Sequence, residues 1–356
     1  MDREINPALG KGGIMLTFVS FVVVFGAIVF FHEFGHFLVA KLAGITVYEF
    51  ALGFGPVLTS KKRRGTKYSL RAFPLGGFVK MAGMDEPQEG EEVESDDPGS
   101  FHNKSLAWRL GTISAGPLMN FVLAVLLFFA YFMFVEVPPR ITLIEQGSVA
   151  EKAGFLPGDE FISFDGEKVS DTDEIIARIQ AAPQRELAIV VKRERRNITI
   201  LVVPEEREGR GILGIGIADT KPKYPFWLSL KGAFTQTGRV TAELVRGLGR
   251  IITGREKAEL SGPIGIVQLV GQTAKQSLAD LLLLAILLTI NLGLLNLLPV
   301  PVLDGGWIVI LVVEAIRGRP LAPKARGIAQ FIGLALLVLL MIFATIKDIS
   351  RLNLFS

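Results

Sequence analysis

His32 and His36 stand four apart in the stretch AIVFFHEFGHFLVAKLAG, which is otherwise apolar enough to be buried in a membrane. On a helix, side chains four apart share a face one turn from each other, so two imidazoles can reach one metal ion. Glu33 lies beside the pair without being needed as a ligand. In an H-E-x-x-H helix the metal activates a water and the glutamate takes its proton, which suits attack on a carbonyl, and peptide hydrolysis is the chemistry this spacing favours. The chain has no cysteine, so a third ligand must be a histidine or a carboxylate. His102, the remaining histidine, falls in a polar loop and reads as solvated, whereas Asp304 sits in NLLPVPVLDGGW at the end of an apolar run. An isolated carboxylate in lipid costs several kcal/mol, and a bound cation offsets that cost directly. A proton or ion relay through the buried cluster, with Asp304 paired to a lysine or arginine, uses the same residues and stays open.

The elements that must position these groups are membrane helices. Of 356 residues 50% are hydrophobic and the mean hydropathy is +0.44, too apolar for an ordinary soluble enzyme. Four runs, at about 14–40, 106–134, 281–298 and 327–346, approach or exceed the roughly 20 residues that cross a bilayer. The first is expected to be retained rather than cleaved, since Asp2, Arg3, Glu4 and Lys11 cancel and no small-x-small site follows. A net charge of +3 argues against a nucleic-acid partner and leaves membrane lipid as the expected surroundings. The basic loop KKRRGTK (residues 61–67) and the group Arg317, Arg319, Lys324 and Arg326 are expected to face the cytoplasm. That orientation puts both termini and the long middle region outside, and brings His32, His36 and Asp304 to one depth toward the cytoplasmic side.

The expected fold class is a polytopic α-helical membrane protein with four transmembrane helices, a membrane-associated β-hairpin and one extracytoplasmic α/β domain. Residues 1–46 carry the first span. Residues 47–105 alternate apolar and polar around glycines, as short strands that dip into the membrane surface do, and end in an acidic loop at 85–100. The second span covers 106–134. Residues 135–220 read as a soluble domain of strands, one helix and a hairpin, and 221–278 as a region whose helix at 224–254 lies along a membrane face. The third span, 279–313, is interrupted by prolines, and 314–356 holds the fourth.

Within the soluble domain, GSVAEKAGFLPGDEFISFDGEKV (residues 147–169) resembles the PDZ domains of bacterial membrane and periplasmic proteases. ILGIGI looks like the carboxylate-binding strand of the circularly permuted type, which implies peptide binding by Leu213, Gly214 and Ile215. HEFGH, RAFPLGGFVKMAG, AGPLMNF, LSGPIGIVQLVG and NLLPVPVLDGG, taken with that domain, resemble in order and spacing a bacterial site-2 protease of the regulator of sigma-E protease branch.

The resemblance implies Zn2+ held by His32, His36 and Asp304, Glu33 as general base, and Asn296 as the group that positions the substrate backbone or stabilises the oxyanion. It also implies that Gly76, Gly77 and Phe78 in a re-entrant β-loop, with Asn120, Pro299 and Pro301, lie on the substrate side. The implied activity is intramembrane proteolysis in the bacterial cytoplasmic membrane. Its substrates would be single-span proteins of the anti-sigma-factor type, and remnant signal peptides, after an upstream site-1 protease has cut outside. Room for one PDZ domain instead of two puts a double-domain size filter in doubt. A non-catalytic PDZ scaffold and an ion or proton transporter are the rival classes.

Overall fold

The apolar runs fold as helices, since a chain in lipid must satisfy its backbone polar groups internally. A computed structural model describes residues 11–84, 97–136, 138–169, 171–193, 196–218, 223–256, 262–319 and 321–351. The acidic residues 85–96, the two ends of the chain, and Leu260 and Ser261 of the LSGPIGIVQLVG motif lie outside them. Four helices among the described residues are long and apolar enough to cross a membrane: Gly12–Leu42, Leu106–Phe134, Leu278–Asn296 and Lys324–Ser350. They fall on the four apolar runs of the sequence. The chain divides into two units, one of residues 1–131 with 227–356 and one of 132–226.

The first unit opens with α1 (Lys11–Leu42), followed by a long hairpin of β1 (Val47–Arg63) and β2 (Thr66–Met81), then α2 (Leu106–Phe134). The hairpin folds back on itself. Residues 49–52 of β1 pair with 77–80 in antiparallel register and also with 67–70, where both numbers rise together. Its root is fastened by Ala82 donating to the Thr46 carbonyl and Phe101 donating to that of Ala82. Beneath it, Ala40, Val47, Met81, Phe101, Ile113 and Leu311 form one buried cluster.

Residues 132–226 carry β3 (Ile141–Ile144), α3 (Val149–Ala153), β4 (Glu160–Phe164), β5 (Glu167–Lys168), α4 (Thr172–Gln180), β6 (Leu187–Arg193), β7 (Arg196–Val202), β8 (Glu205–Arg207), β9 (Arg210–Ile212) and β10 (Ile215–Ile217). The main sheet has the order β5-β4-β6-β7, while β10 pairs with β3 and β8 with β9. The alternation read in the sequence becomes the β6/β7 hairpin, whose inward Leu187, Ile189 and Val191 meet Phe161, Phe164 and Ile175 in a separate core. Asp159, 1% exposed, receives two hydrogen bonds from the Arg193 guanidinium at 2.6 and 2.7 Å. That planar, two-point geometry gives both oxygens of the buried carboxylate a donor.

The chain then returns to the first unit through α5 (Phe226–Ile252), α6 (Pro263–Gln276), α7 (Leu278–Asn296), α8 (Asp304–Arg317) and α9 (Pro323–Arg351). The amphipathic region expected at 224–254 is α5, with Trp227, Leu228 and Phe234 exposed along it. α6 has no counterpart in the expectation. Gly262 caps it, Pro263 sits where a missing N–H is harmless, and the Asp348 carboxylate of α9 accepts from Gly262 and Gly265 N–H at 3.0 and 2.8 Å.

The third span differs too. The expected single segment at 279–313 is two helices, because Pro299 and Pro301 supply no N–H and Val302 has φ +86°, so 297–303 cannot continue α7. Asp304 therefore does not close a helix; it opens α8. Val24 and Ile28 of α1, Leu123 of α2 and Ala285 of α7 pack in one buried cluster. Between lipid-facing helices this contact depends on shape, since lipid is as apolar as leucine, and small residues let backbones approach. Gly35 of α1 lies against the Ala115 backbone of α2 in that way.

Candidate metal centre

α1 presents His32 and His36 from one face, as their spacing requires, and both are buried. The first residue of α8 brings Asp304 to them. His32 Nε2 lies 3.3 Å from His36 Nε2 and 3.3 Å from Asp304 Oδ2, and His36 Nε2 lies 3.4 Å from Asp304 Oδ1. Zinc bonds of about 2.0–2.1 Å in a tetrahedron put neighbouring ligand atoms about 3.3–3.4 Å apart. Among the described residues this is the one group of three such side chains with that convergence.

His36 Nδ1 is 2.8 Å from the Thr112 carbonyl of α2, which can only accept, so Nδ1 carries a hydrogen and Nε2 is the ring atom that faces the second imidazole and the carboxylate. Gly116 makes room for the arrangement: a Cβ there would overlap the His36 ring.

Two amides adjoin His32. Asn120 of α2 is buried, with Nδ2 3.3 Å from His32 Nδ1 and Oδ1 without a hydrogen-bond partner. A half-turn of the amide brings Oδ1 onto His32 Nδ1–H and leaves Nε2 free as a ligand, the outer-shell pattern of metal-binding histidines. Asn296, the last residue of α7, has Nδ2 3.4 Å from His32 Nε2. Glu33 makes no side-chain hydrogen bond among the described residues. A strand passes close to it, for a Cβ on Gly77 would stand 2.8 Å from Glu33 Cγ and 2.8 Å from the Ala51 carbonyl oxygen.

The remaining expected residues fall in several places. Gly77 and Phe78 pair with Leu52 and Ala51 in the hairpin, and Gly76 lies under the Phe54 ring. Phe78 stacks on Phe54 and carries the Arg71 guanidinium 5.0 Å from its ring centre. Pro299 is exposed in the α7–α8 loop, and Pro301 packs against Gly306 of α8 and Gly333 of α9. In the other unit, Leu213 is buried, Gly214 has φ +73° and Ile215 pairs with Ile144. These three line a groove of about 190 Å³ with Ile176, Ile179 and Ile217. Thr112 and Gly116 escaped the sequence reading as parts of the centre, because a backbone carbonyl and an absent side chain leave no residue-type signal.

The family model for peptidase family M50 matches residues 20–340. The chain is 33% identical to the zinc metalloprotease RasP of Bacillus licheniformis, over 95% of this chain and 100% of the relative. It is 34% identical to the protein of the same name from Geobacillus kaustophilus, over 94% and 98%. It is 33% identical to the regulator of sigma-W protease RasP of Bacillus subtilis, over 94% and 99%.

Proposed function

The chain belongs to peptidase family M50, the site-2 protease family of zinc metalloproteases, and on that premise we propose that it hydrolyses peptide bonds of single-span membrane proteins within the bilayer. The observation that carries this reading is the convergence of His32, His36 and Asp304, with the two Nε2 atoms 3.3 Å apart and each 3.3–3.4 Å from an oxygen of the Asp304 carboxylate, close enough to share one metal ion. In this reading those three side chains hold the metal. When bound, zinc polarises a carbonyl and makes water acidic enough to be activated near pH 7.

Glu33 takes the proton of the attacking water and returns it to the leaving amine. Asn296, whose amide hydrogens point to the same centre, stabilises charge that develops on the carbonyl oxygen. Asn120 fixes the His32 ring. A transmembrane helix hides its peptide bonds in its own hydrogen bonds, so a substrate must unwind before Glu33 can act on it. Residues 77–79 are flanked by no described strand other than β1, and an unwound segment can add to such an edge beside Glu33.

Residues 135–220 act in this reading as a PDZ domain, with Leu213, Gly214 and Ile215 at its peptide groove, on the extracytoplasmic side. The relative named a regulator of sigma-W protease supports anti-sigma factors as the substrate class; in this reading they are cut after an upstream protease has trimmed them.

The test is metal analysis of purified protein together with cleavage of a membrane-spanning model substrate. Glu33→Gln is expected to retain zinc and lose turnover by about 10²- to 10⁴-fold. His36→Ala and Asp304→Ala are expected to lose both. A Glu33→Gln protein that still cuts, or an Asp304→Ala protein with full zinc, overturns the assignment.

A further inference from the structure

Where α2 begins and α8 gives way to α9, a cavity of about 530 Å³ is lined by Arg109, Arg319, Arg326, His102 and Glu314. Glu314 is 5% exposed and is the sole acid among the described lining residues. Its carboxylate accepts from Arg109 Nη1 at 3.3 Å, Arg326 Nη2 at 2.9 Å and the Leu321 N–H at 3.0 Å. Arg326 Nη1 also lies 3.2 Å from His102 Nε2. Burial and the adjoining Arg326 guanidinium hold His102 below its ordinary value, so at pH 7 it is neutral and accepts that hydrogen.

Among the described residues the cluster is short of acceptors. Each guanidinium carries five N–H donors, and one carboxylate with one imidazole cannot engage those of three arginines. The Nε atoms of both Arg109 and Arg326 are buried without a partner. Among the described lining residues two positive charges exceed the one negative, and a group that only accepts, carries negative charge and presents several oxygens would complete the site. Phosphate has that chemistry, and planar guanidinium forks fit it.

The position selects the source of the phosphate. Leu106, the first residue of the apolar α2, and Leu321 supply apolar walls, and the last candidate span begins at Lys324. The cavity thus lies at the depth where headgroups meet acyl chains, and basic pockets between helices at that level hold acidic headgroups. We propose that this cavity is a phosphate site occupied by the headgroup of an anionic phospholipid, which fastens α8 to α2 and α9.

Thermal unfolding of the full-length protein in detergent, titrated with phosphatidylglycerol, phosphatidylcholine or inorganic phosphate, tests the proposal. Phosphatidylglycerol is expected to raise the unfolding midpoint and phosphatidylcholine to leave it unchanged. Arg319→Gln is expected to weaken the phosphatidylglycerol effect about tenfold in concentration, through loss of one charge-assisted contact. The pair Arg109→Gln/Arg319→Gln, which removes both charges in excess of Glu314, is expected to abolish it. If that pair does not fold, Arg319→Gln decides alone. Equal shifts by both lipids, or an Arg319→Gln protein that responds as the wild type does, overturns the site. Full protection by inorganic phosphate that phosphatidylglycerol does not compete away overturns the lipid as its source.

Discussion

His36 enters the cluster with its tautomer already set by the Thr112 carbonyl, whereas His32 depends on which end of the Asn120 amide it meets. Asn120→Leu keeps the branched outline but leaves His32 Nδ1 facing an apolar wall. Loss of such an outer-shell partner costs about 10- to 100-fold in metal affinity, so chelator competition should show zinc held that much more weakly. Asn120→Asp, which restores an acceptor, should hold zinc at least as well as the wild type. An Asn120→Leu protein with unchanged affinity would remove the amide from any positioning role. The convergence of His32 and His36 was legible because side chains at i and i+4 share a helix face. Asp304 was legible because a carboxylate in an apolar run needs a partner. Asn120 could be found only through family likeness, since its contact with His32 spans 88 residues.

Among the elements, the contact between β2 and α1 sets how closely a paired segment can approach Glu33. Gly77→Val would push the strand off α1, because the space its side chain needs is held by Glu33, Val29 and the Ala51 carbonyl. A displacement near 1 Å costs on the order of 100-fold in rate, so cleavage is expected to fall about that much while zinc content stays the same. Rates within twofold of wild type would show that the strand does not position the substrate. The strands of the hairpin were legible from their alternation; their double register was not, because one run of residues 49–52 satisfies two partners through long-range pairing that no local pattern encodes. The break after α7 was signalled by Pro299 and Pro301, but which helix would own Asp304 was not. For α6 the available cues were Gly262 and Pro263 at its start, and its far-off cap, Asp348, could not be seen from them.

At the scale of the whole molecule, residues 132–226 hold a core of their own, with Phe155, Phe161, Phe164, Ile175 and Ile189 each no more than 2% exposed. A segment of that size with such a core should fold alone. The excised fragment is therefore expected to unfold cooperatively in a calorimeter and to show dispersed amide resonances; a broad, non-cooperative transition would mean that it needs the membrane part. The soluble core could be read from sequence since its contacts are local in the chain, while the arginine cavity could not, because Arg109 and Glu314 are 205 residues apart.

The same separation governs the centre formed by His32 and His36 of the first helix and Asp304 of the eighth. During synthesis the imidazole pair leaves the ribosome early and waits for nearly the whole chain to be made and inserted. No nascent or truncated product that stops before α8 can bring a carboxylate to the imidazole pair, so the cluster is completed only once nearly all of the chain exists.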